Sequence, residues 1–254
     1  MLYGGLVSIT FRQLSPKRIV NLVAKSGIKG IEWGGDIHVP HGNISLARNV
    51  GNMTREEGLK VAAYGSYYRV GCEGEEGIPC FQEVLETAIE LKAPSIRVWA
   101  GNRSSIEATR DWWDNVVEDS IRIAEMASRE GIIVAYEYHG GTLTDTLPST
   151  YKLLDKVAHK NLRSYWQPLP HHDIKNRLDG LEQILPWLGD IHVFHWLSGE
   201  RKSLEGGTEE WLKYLKLIDG IPDNRYAMIE FVKDDNEEQF LQDAKILKQW
   251  IDKV

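Results

Sequence analysis

The feature that most constrains the fold is a short apolar run followed by a helical pattern, repeated about eight times in 254 residues. The predicted strands are Tyr3–Ile9, Gly30–Trp33, Val61–Ser66, Ser95–Ala100, Ile132–Glu137, Leu162–Trp166, Ile191–Phe194 and Tyr226–Phe231. The predicted helices begin at Ser15 and then cover Ile44–Gly58, Phe81–Lys92, Arg110–Arg129, Ser149–Val157, Leu178–Leu188, Glu209–Ile218 and Glu237–Ile251. Strands that alternate with helices imply βαβ units and a parallel sheet.

The number of these units favours one closed barrel. Eight strands, each followed by a helix, form a (β/α)8 barrel, and about 250 residues is its ordinary size. An open dinucleotide-binding sheet is disfavoured because the chain has no GxGxxG turn after a strand. No low-complexity linker interrupts the pattern, so we expect residues 1–254 to form a single domain.

Charge and composition exclude several classes of partner. The net charge of −7 argues against binding to nucleic acid or to an anionic membrane, since both need clustered cations. No apolar run reaches the length of a membrane span, and the N-terminus lacks the basic start of a signal peptide. Cys72 and Cys80 are too few for a disulfide framework. We expect a cytoplasmic protein with a small-molecule, sugar-like substrate. The sequence is compatible with either a monomer or an oligomer.

Polar side chains interrupt the apolar strands near their carboxyl ends, where a barrel of this kind carries its functional groups. The positions are Glu32 and Trp33, Arg97 and Trp99, Glu137 and His139, Trp166 and Gln167, His192 and His195, and Glu230. A carboxylate at the end of an apolar strand is costly to bury unless it is paired or binds a metal. Glu137 and Glu230, with a strand histidine and a strand amide, would form an oxygen and nitrogen ligand set for Mn²⁺, Mg²⁺, Fe²⁺ or Zn²⁺.

These residues give the chain a resemblance to the xylose-isomerase-like TIM-barrel superfamily, strongest from about Gly131 to Phe231. That family places Glu, Asp, His and Glu at the ends of strands five to eight around one metal ion. The segment from Glu137 to His139, with the following TLTDTLPST, is especially similar to the 3-dehydroshikimate dehydratase branch. The resemblance therefore implies one divalent metal, held by Glu137, Gln167, His192 and Glu230.

Two positions depart from the family pattern or leave a choice. Strand six carries Gln167 where the family has Asp, so the site loses one negative charge. On strand seven the family reads His-x-x-Asp or His-x-x-Glu, which assigns the ligand to His192 and puts His195 where the family has an acid. The reverse assignment stays open, and the two histidines should lie on opposite faces of the strand.

Other side chains suit a polyol or sugar site. Trp33, Trp99 and Trp166 are candidates for the pocket wall, although each could instead fill the space between strands and helices. Arg97 is a candidate to bind an anionic substrate group, as are Arg69 and Arg201. The loop histidines, which are His38, His41, His171 and His172, are expected to be exposed to solvent.

The leading hypothesis is an isomerase or epimerase of a small sugar, sugar acid or sugar phosphate. Glu137 and Glu230 would remove and return a proton beside a carbonyl, next to the metal. The main alternative is a metal-dependent lyase such as a 3-dehydroshikimate dehydratase, which needs an added acid, His139 or His195. A non-enzymatic sugar-binding barrel is a further alternative. A DNA endonuclease of the same superfamily is disfavoured by the charge and by the absent Asp at strand six.

Overall fold

The computed structural model describes residues 1–169 and 172–254. The barrel strands are β1 Leu2–Val7, β2 Gly30–Gly34, β3 Lys60–Arg69, β4 Ser95–Trp99, β5 Ile133–Tyr136, β6 Leu162–Trp166, β7 Leu188–Val193 and β10 Arg225–Ile229; β8 and β9 form the short hairpin described below. These eight parallel strands close into a barrel in the order β1-β10-β7-β6-β5-β4-β3-β2. This confirms the predicted (β/α)8 barrel.

In the described part of the chain, one α-helix follows each of the eight barrel strands. They are α1 Pro16–Ser26, α2 Ile44–Glu56, α3 Phe81–Leu91, α4 Arg110–Arg129, α5 Leu147–Val157, α6 Ile174–Ile184, α7 Thr208–Asp219 and α8 Glu237–Ile251. Local signals fix their ends: Ser15 caps α1 ahead of Pro16, and Gly27 ends α1 with φ of 78°. None of the helices within the described residues combines the length and apolar character needed to cross a bilayer.

The chain forms two compact units of comparable size. One consists of Met1–Trp33, Asn52–Ala62 and Trp166–Val254, and the other of Gly34–Gly51 and Ala63–Tyr165. In the first unit, β10 pairs with both β1 and β7, and Met228 lies opposite His192. In the second, β4 pairs with β3 and β5, and Arg97 lies opposite Gly65 on one side and Ala135 on the other.

Three local features differ from the prediction. Helix α6 begins four residues earlier than predicted, because the Asp173 side chain accepts a hydrogen bond from the Asn176 backbone and caps it there. Strand β3 runs on to Arg69 through a register shift, with Tyr67 at φ of 56°. A short antiparallel hairpin, β8 Trp196–Leu197 and β9 Glu200–Arg201, follows β7 and was not predicted.

Candidate metal centre

His192 lies at the centre of a buried polar group on β7. Its side chain is fully buried, and its Nδ1 lies 3.0 Å from Gln167 Oε1 and 3.4 Å from Glu230 Oε2. The other ring nitrogen, Nε2, lies 3.6 Å from Glu32 Oε2, and Glu32 is also fully buried. The predicted strand-six amide and strand-eight carboxylate therefore both approach the same ring nitrogen, Nδ1.

The backbone around Glu230 is held on both sides. Its N–H donates to Val193 O at 3.0 Å, which extends the β7–β10 ladder by one residue. The next residue, Phe231, has φ of 58°, and its N–H donates to Thr10 Oγ1 at 3.0 Å. A left-handed non-glycine residue beside a candidate ligand is typical of strain stored at functional sites.

Glu137 is fixed by donors from β4. Its backbone N–H donates to Val98 O at 2.9 Å, and its carbonyl accepts from Thr144 Oγ1 at 2.6 Å. Its carboxylate Oε2 accepts from both Arg97 Nη1 and Trp99 Nε1. Glu137 is 4% exposed and Arg97 is 1% exposed, so this is a buried ion pair with an added hydrogen bond. Arg97 therefore positions a protein carboxylate, which is a different task from the substrate binding predicted for it.

Three of the predicted ligands form one cluster. Glu137, His192 and Glu230 each offer one ligand atom, and these atoms lie within 4.8 Å of one another. Two carboxylates and one imidazole are a suitable donor set for Mn²⁺, Fe²⁺ or Zn²⁺. The residues present therefore fit a divalent cation, and Gln167 Oε1 would add a neutral oxygen beside them.

The charges around His192 control its protonation. Burial by itself lowers the pKa of a histidine, but Glu230 and then Glu32 outweigh burial and raise the pKa of His192 to about 10. In the metal-free protein the ring is thus a cation at neutral pH. A metal ion that takes Nδ1 as a ligand must displace a proton from this ring.

Aromatic and cationic side chains gather around Trp99 at the end of β4. His139 stacks on Trp99 with ring centroids 4.6 Å apart, and the Arg69 guanidinium lies 4.2 Å above the same indole. The Tyr67 ring meets Trp99 edge-on at 5.4 Å, where the irregular end of β3 brings it. Trp99 thus contacts both Glu137 and His139.

The predictions for Trp33 and Trp166 are not supported by their positions. Trp33 is 0% exposed, and its Nε1 donates to Thr54 Oγ1 of α2. Trp166 is 2% exposed and packs on Trp211 and Tyr214 of α7. Both indoles fill the space between the barrel and its helices, because each is next in sequence to a residue of the site, Glu32 or Gln167, and so faces outward.

His195 also faces away from the cluster. Its Nδ1 lies 2.9 Å from Ser203 O, and its ring packs against the backbone of Gly206 and Gly207. His192 and His195 are three residues apart, so they lie on opposite sides of the chain. The structure therefore supports His192 as the ligand and gives no support to a catalytic role for His195.

Some of the remaining side chains differ from expectation. His38 is 3% exposed, so the expectation of a solvent-exposed side chain was wrong for it. His41 is half-buried, with Nδ1 2.8 Å from the Tyr64 hydroxyl. His171 lies outside the described residues. Both cysteines, Cys72 and Cys80, are free thiols.

Sequence reasoning placed Glu32 at a strand end but gave it no role. The signal was present, because a charged residue between Ile31 and Trp33 interrupts an apolar strand. What the sequence did not show was the partner, since His192 is distant along the chain and meets Glu32 only in the folded barrel.

The chain belongs to the family of xylose isomerase-like TIM barrels, whose model matches residues 20–250. A 3-dehydroshikimate dehydratase of Bacillus anthracis is 27% identical over 197 residues, covering 74% of this chain and 70% of that protein.

Solved structures share the fold over nearly the whole length. The probable 3-dehydroshikimate dehydratase AsbF of Bacillus anthracis is similar with a TM-score of 0.77 and 22% identity, covering 97% of this chain and 98% of that one. The IolI protein with a bound zinc atom has a TM-score of 0.76 and 16% identity, covering 99% and 98%. A D-psicose 3-epimerase of Clostridium cellulolyticum has a TM-score of 0.72 and 13% identity, covering 99% of each chain.

Proposed function

We propose that this protein is a metal-dependent lyase that removes water from a cyclic hydroxy-ketone carboxylate of the 3-dehydroshikimate type. Its similarity to a 3-dehydroshikimate dehydratase supports the substrate class. The observation that carries the reaction type is the pair of donors on Glu137. Its Oε2 already accepts from both Arg97 and Trp99.

These two donors to Glu137 favour chemistry that needs only one further carboxylate as a base. Taking up a proton at Glu137 Oε2 would disrupt two donor contacts and leave the buried Arg97 cation beside a neutral acid. Glu230 is therefore the better general base for the carbon-bound proton next to the ketone. A divalent ion held by Glu137, His192 and Glu230 would supply positive charge that stabilises the oxygen of the enolate.

His139 is suited to release the leaving hydroxyl. Its Nδ1 lies 2.7 Å from the carbonyl oxygen of Gly140. A carbonyl only accepts, so Nδ1 carries a proton and Nε2 is the nitrogen that exchanges a proton with substrate. In elimination, the C–H electrons form the new double bond, the C–O bond breaks, and the hydroxyl takes the proton of the His139 Nε2–H to leave as water. Solvent then restores the protonation states of Glu230 and His139.

Arg69 is the best candidate to bind the substrate carboxylate. It lies over Trp99, which also stacks on His139, and its side chain is partly exposed. Arg97 is already paired with Glu137, and Arg201 is paired with Asp235. A guanidinium suits this task because its planar fork matches a carboxylate.

An isomerase or epimerase of a small sugar is the second candidate. The observation that favours it is the presence of two glutamates in one cluster with His192, since proton removal on one face and return on the other needs two such groups. The donors that already hold Glu137 weigh against this arrangement.

Product analysis separates the two functions. The purified protein is loaded with Mn²⁺, Mg²⁺ or Zn²⁺ and incubated with 3-dehydroshikimate, and the dihydroxybenzoate formed by loss of water is followed by its absorbance and mass. Glu230→Gln is the matched control, loaded with the same metal. The expected result is metal-dependent formation of the aromatic product by the wild type alone. Epimerisation of D-psicose in deuterated water, without any dehydration activity, would overturn the lyase in favour of the epimerase.

A further inference from the structure

Glu32 is a fully buried carboxylate at the end of β2 that lies outside the predicted ligand set. Burying a carboxylate is unfavourable unless a specific partner compensates for its lost hydration. Glu32 Oε2 lies 3.6 Å from His192 Nε2, and both side chains are 0% exposed. This buried carboxylate therefore approaches a residue of the candidate metal centre.

The two nitrogens of His192 have different surroundings. Nδ1 faces Glu230 Oε2 at 3.4 Å and Gln167 Oε1 at 3.0 Å, on the side of the candidate ligands. Nε2 faces Glu32. A metal ion bound by Glu230 and His192 would consequently take Nδ1, and the proton of the neutral ring would reside on Nε2.

We propose that Glu32 is a positioning residue that accepts the Nε2–H of His192 and directs Nδ1 at the metal. This inference rests on the metal site of the proposed function. The distance of 3.6 Å is that of an ion-pair contact, and a ring movement of about 0.5 Å toward Glu32 brings it into hydrogen-bond range. An outer carboxylate of this kind fixes the tautomer and orientation of a ligating histidine and makes it a stronger donor.

Glu32 also changes the charge of the site. The direct ligand set has two carboxylates, because strand six supplies Gln167, a neutral side chain. Glu32 adds a third negative charge on the far side of the His192 ring. This charge would stabilise a bound metal cation without occupying one of its coordination positions. Loss of an outer partner typically lowers metal affinity about 10- to 100-fold.

Two substitutions separate the effect of the Glu32 charge from the effect of its distance to His192. Glu32→Gln keeps the size and an acceptor oxygen but removes the charge, whereas Glu32→Asp keeps the charge and withdraws it by one methylene. Asp190→Asn is the matched control, because Asp190 is another buried carboxylate of the barrel, at 9% exposure, whose oxygen accepts from the Tyr226 backbone. Asp190 lies in the first half of β7, toward the opposite end of the barrel from the site.

Two measurements are made on each folded protein. Titration calorimetry with Zn²⁺ gives the dissociation constant, which should rise about 10- to 100-fold in Glu32→Gln. It should rise less in Glu32→Asp and stay within about threefold of wild type in Asp190→Asn. Nitrogen-15 NMR of the histidines in the Zn²⁺-loaded wild type should show His192 with metal on Nδ1 and a proton on Nε2. The Nε2–H signal should move in both Glu32 variants and remain in place in the control.

The outcomes separate this inference from the proposed function. Unchanged zinc affinity in Glu32→Gln, or a zinc-loaded His192 without a proton on Nε2, would overturn the role of Glu32. A wild type that binds Zn²⁺ with the expected tautomer but does not dehydrate 3-dehydroshikimate would overturn the lyase and leave Glu32 in place. A wild type that binds no metal would overturn both. If Glu32→Gln does not fold, Glu32→Asp carries the test, and wild-type zinc affinity there would overturn the proposal.

Discussion

The charge on His192 makes the stability of the metal-free protein depend on pH in a predictable direction. Its pKa is about 10 in the folded chain, against an ordinary value of 6.5. Because the folded value is the higher one, the stabilisation is fully present below about pH 6.5 and is lost as the pH rises to about 10. At 1.36 kcal/mol per pH unit, this interval sets an upper bound of about 5 kcal/mol on the contribution of the ring.

The assay is urea denaturation in the presence of a chelator at several pH values from 6 to 10. Tyrosines and lysines also titrate at the upper end of this range, so the useful quantity is the difference between wild type and His192→Gln. This variant carries no titrating ring between Glu32 and Glu230. We expect the stability advantage of the wild type to shrink by several kcal/mol as the pH rises. Saturating Zn²⁺ should flatten the slope, because bound metal replaces the proton.

A stability difference that stays constant from pH 6 to 10 would refute this reasoning. It would mean that His192 holds the same number of protons in the folded and unfolded chains. The ion-pair contacts at 3.4 and 3.6 Å would then contribute nothing to its protonation. Far-UV circular dichroism of both proteins at each pH is the control. It shows whether the fold itself changes, which would otherwise alter the pH dependence of the free energy of unfolding.

Three substitutions test the rest of the site. Glu230→Gln should lower turnover by about 10²- to 10⁴-fold, the usual contribution of a general base, and should leave the circular dichroism spectrum unchanged; near-normal turnover of the metal-loaded variant would contradict its role. Gln167→Asp should tighten metal binding by adding a carboxylate, with turnover unchanged or lower; equal or weaker binding in a metal titration would show that Gln167 does not touch the metal. Arg69→Gln should raise KM for a carboxylate substrate about 10- to 100-fold with little change in kcat, since a charge-assisted hydrogen bond contributes about 1.5–3 kcal/mol; an unchanged KM would remove Arg69 from substrate binding.

The barrel could be predicted from the sequence because its signals are local. An apolar run such as Ile132–Glu137, or the helix cap at Ser15, can be recognised from a few consecutive residues. The hairpin at Trp196 depends on loop geometry, and the early start of α6 depends on the single cap at Asp173. The periodicity of apolar residues carries neither signal. The single-domain organisation stays a prediction.

The alternation of side chains along the strands accounts for part of the candidate site and not for the rest. Glu137 and Glu230 could be named because each interrupts an apolar strand near its carboxyl end, whereas His192 was preferred to His195 through the family resemblance. Trp33 and Trp166 were assigned to the pocket although both adjoin inward-facing positions, so the alternation itself pointed them outward. The partners of Glu32 and Arg97 depend on contacts between strands that are distant along the chain, and no local pattern carries that information.

The two hydrogen-bond donors on the Glu137 carboxylate affect which metal ion the centre can bind. Because Oε2 of Glu137 already accepts from both Arg97 and Trp99, this carboxylate is poorly disposed to bind a cation through both of its oxygens. Ca²⁺ takes six to eight oxygens at about 2.3–2.6 Å and draws several of them from bidentate carboxylates. Smaller ions that accept four to six donors lose nothing from a one-oxygen glutamate. If Glu137 binds the ion, the arginine and the indole would favour small divalent ions, and we expect the centre to bind Ca²⁺ more weakly than Mn²⁺ or Zn²⁺.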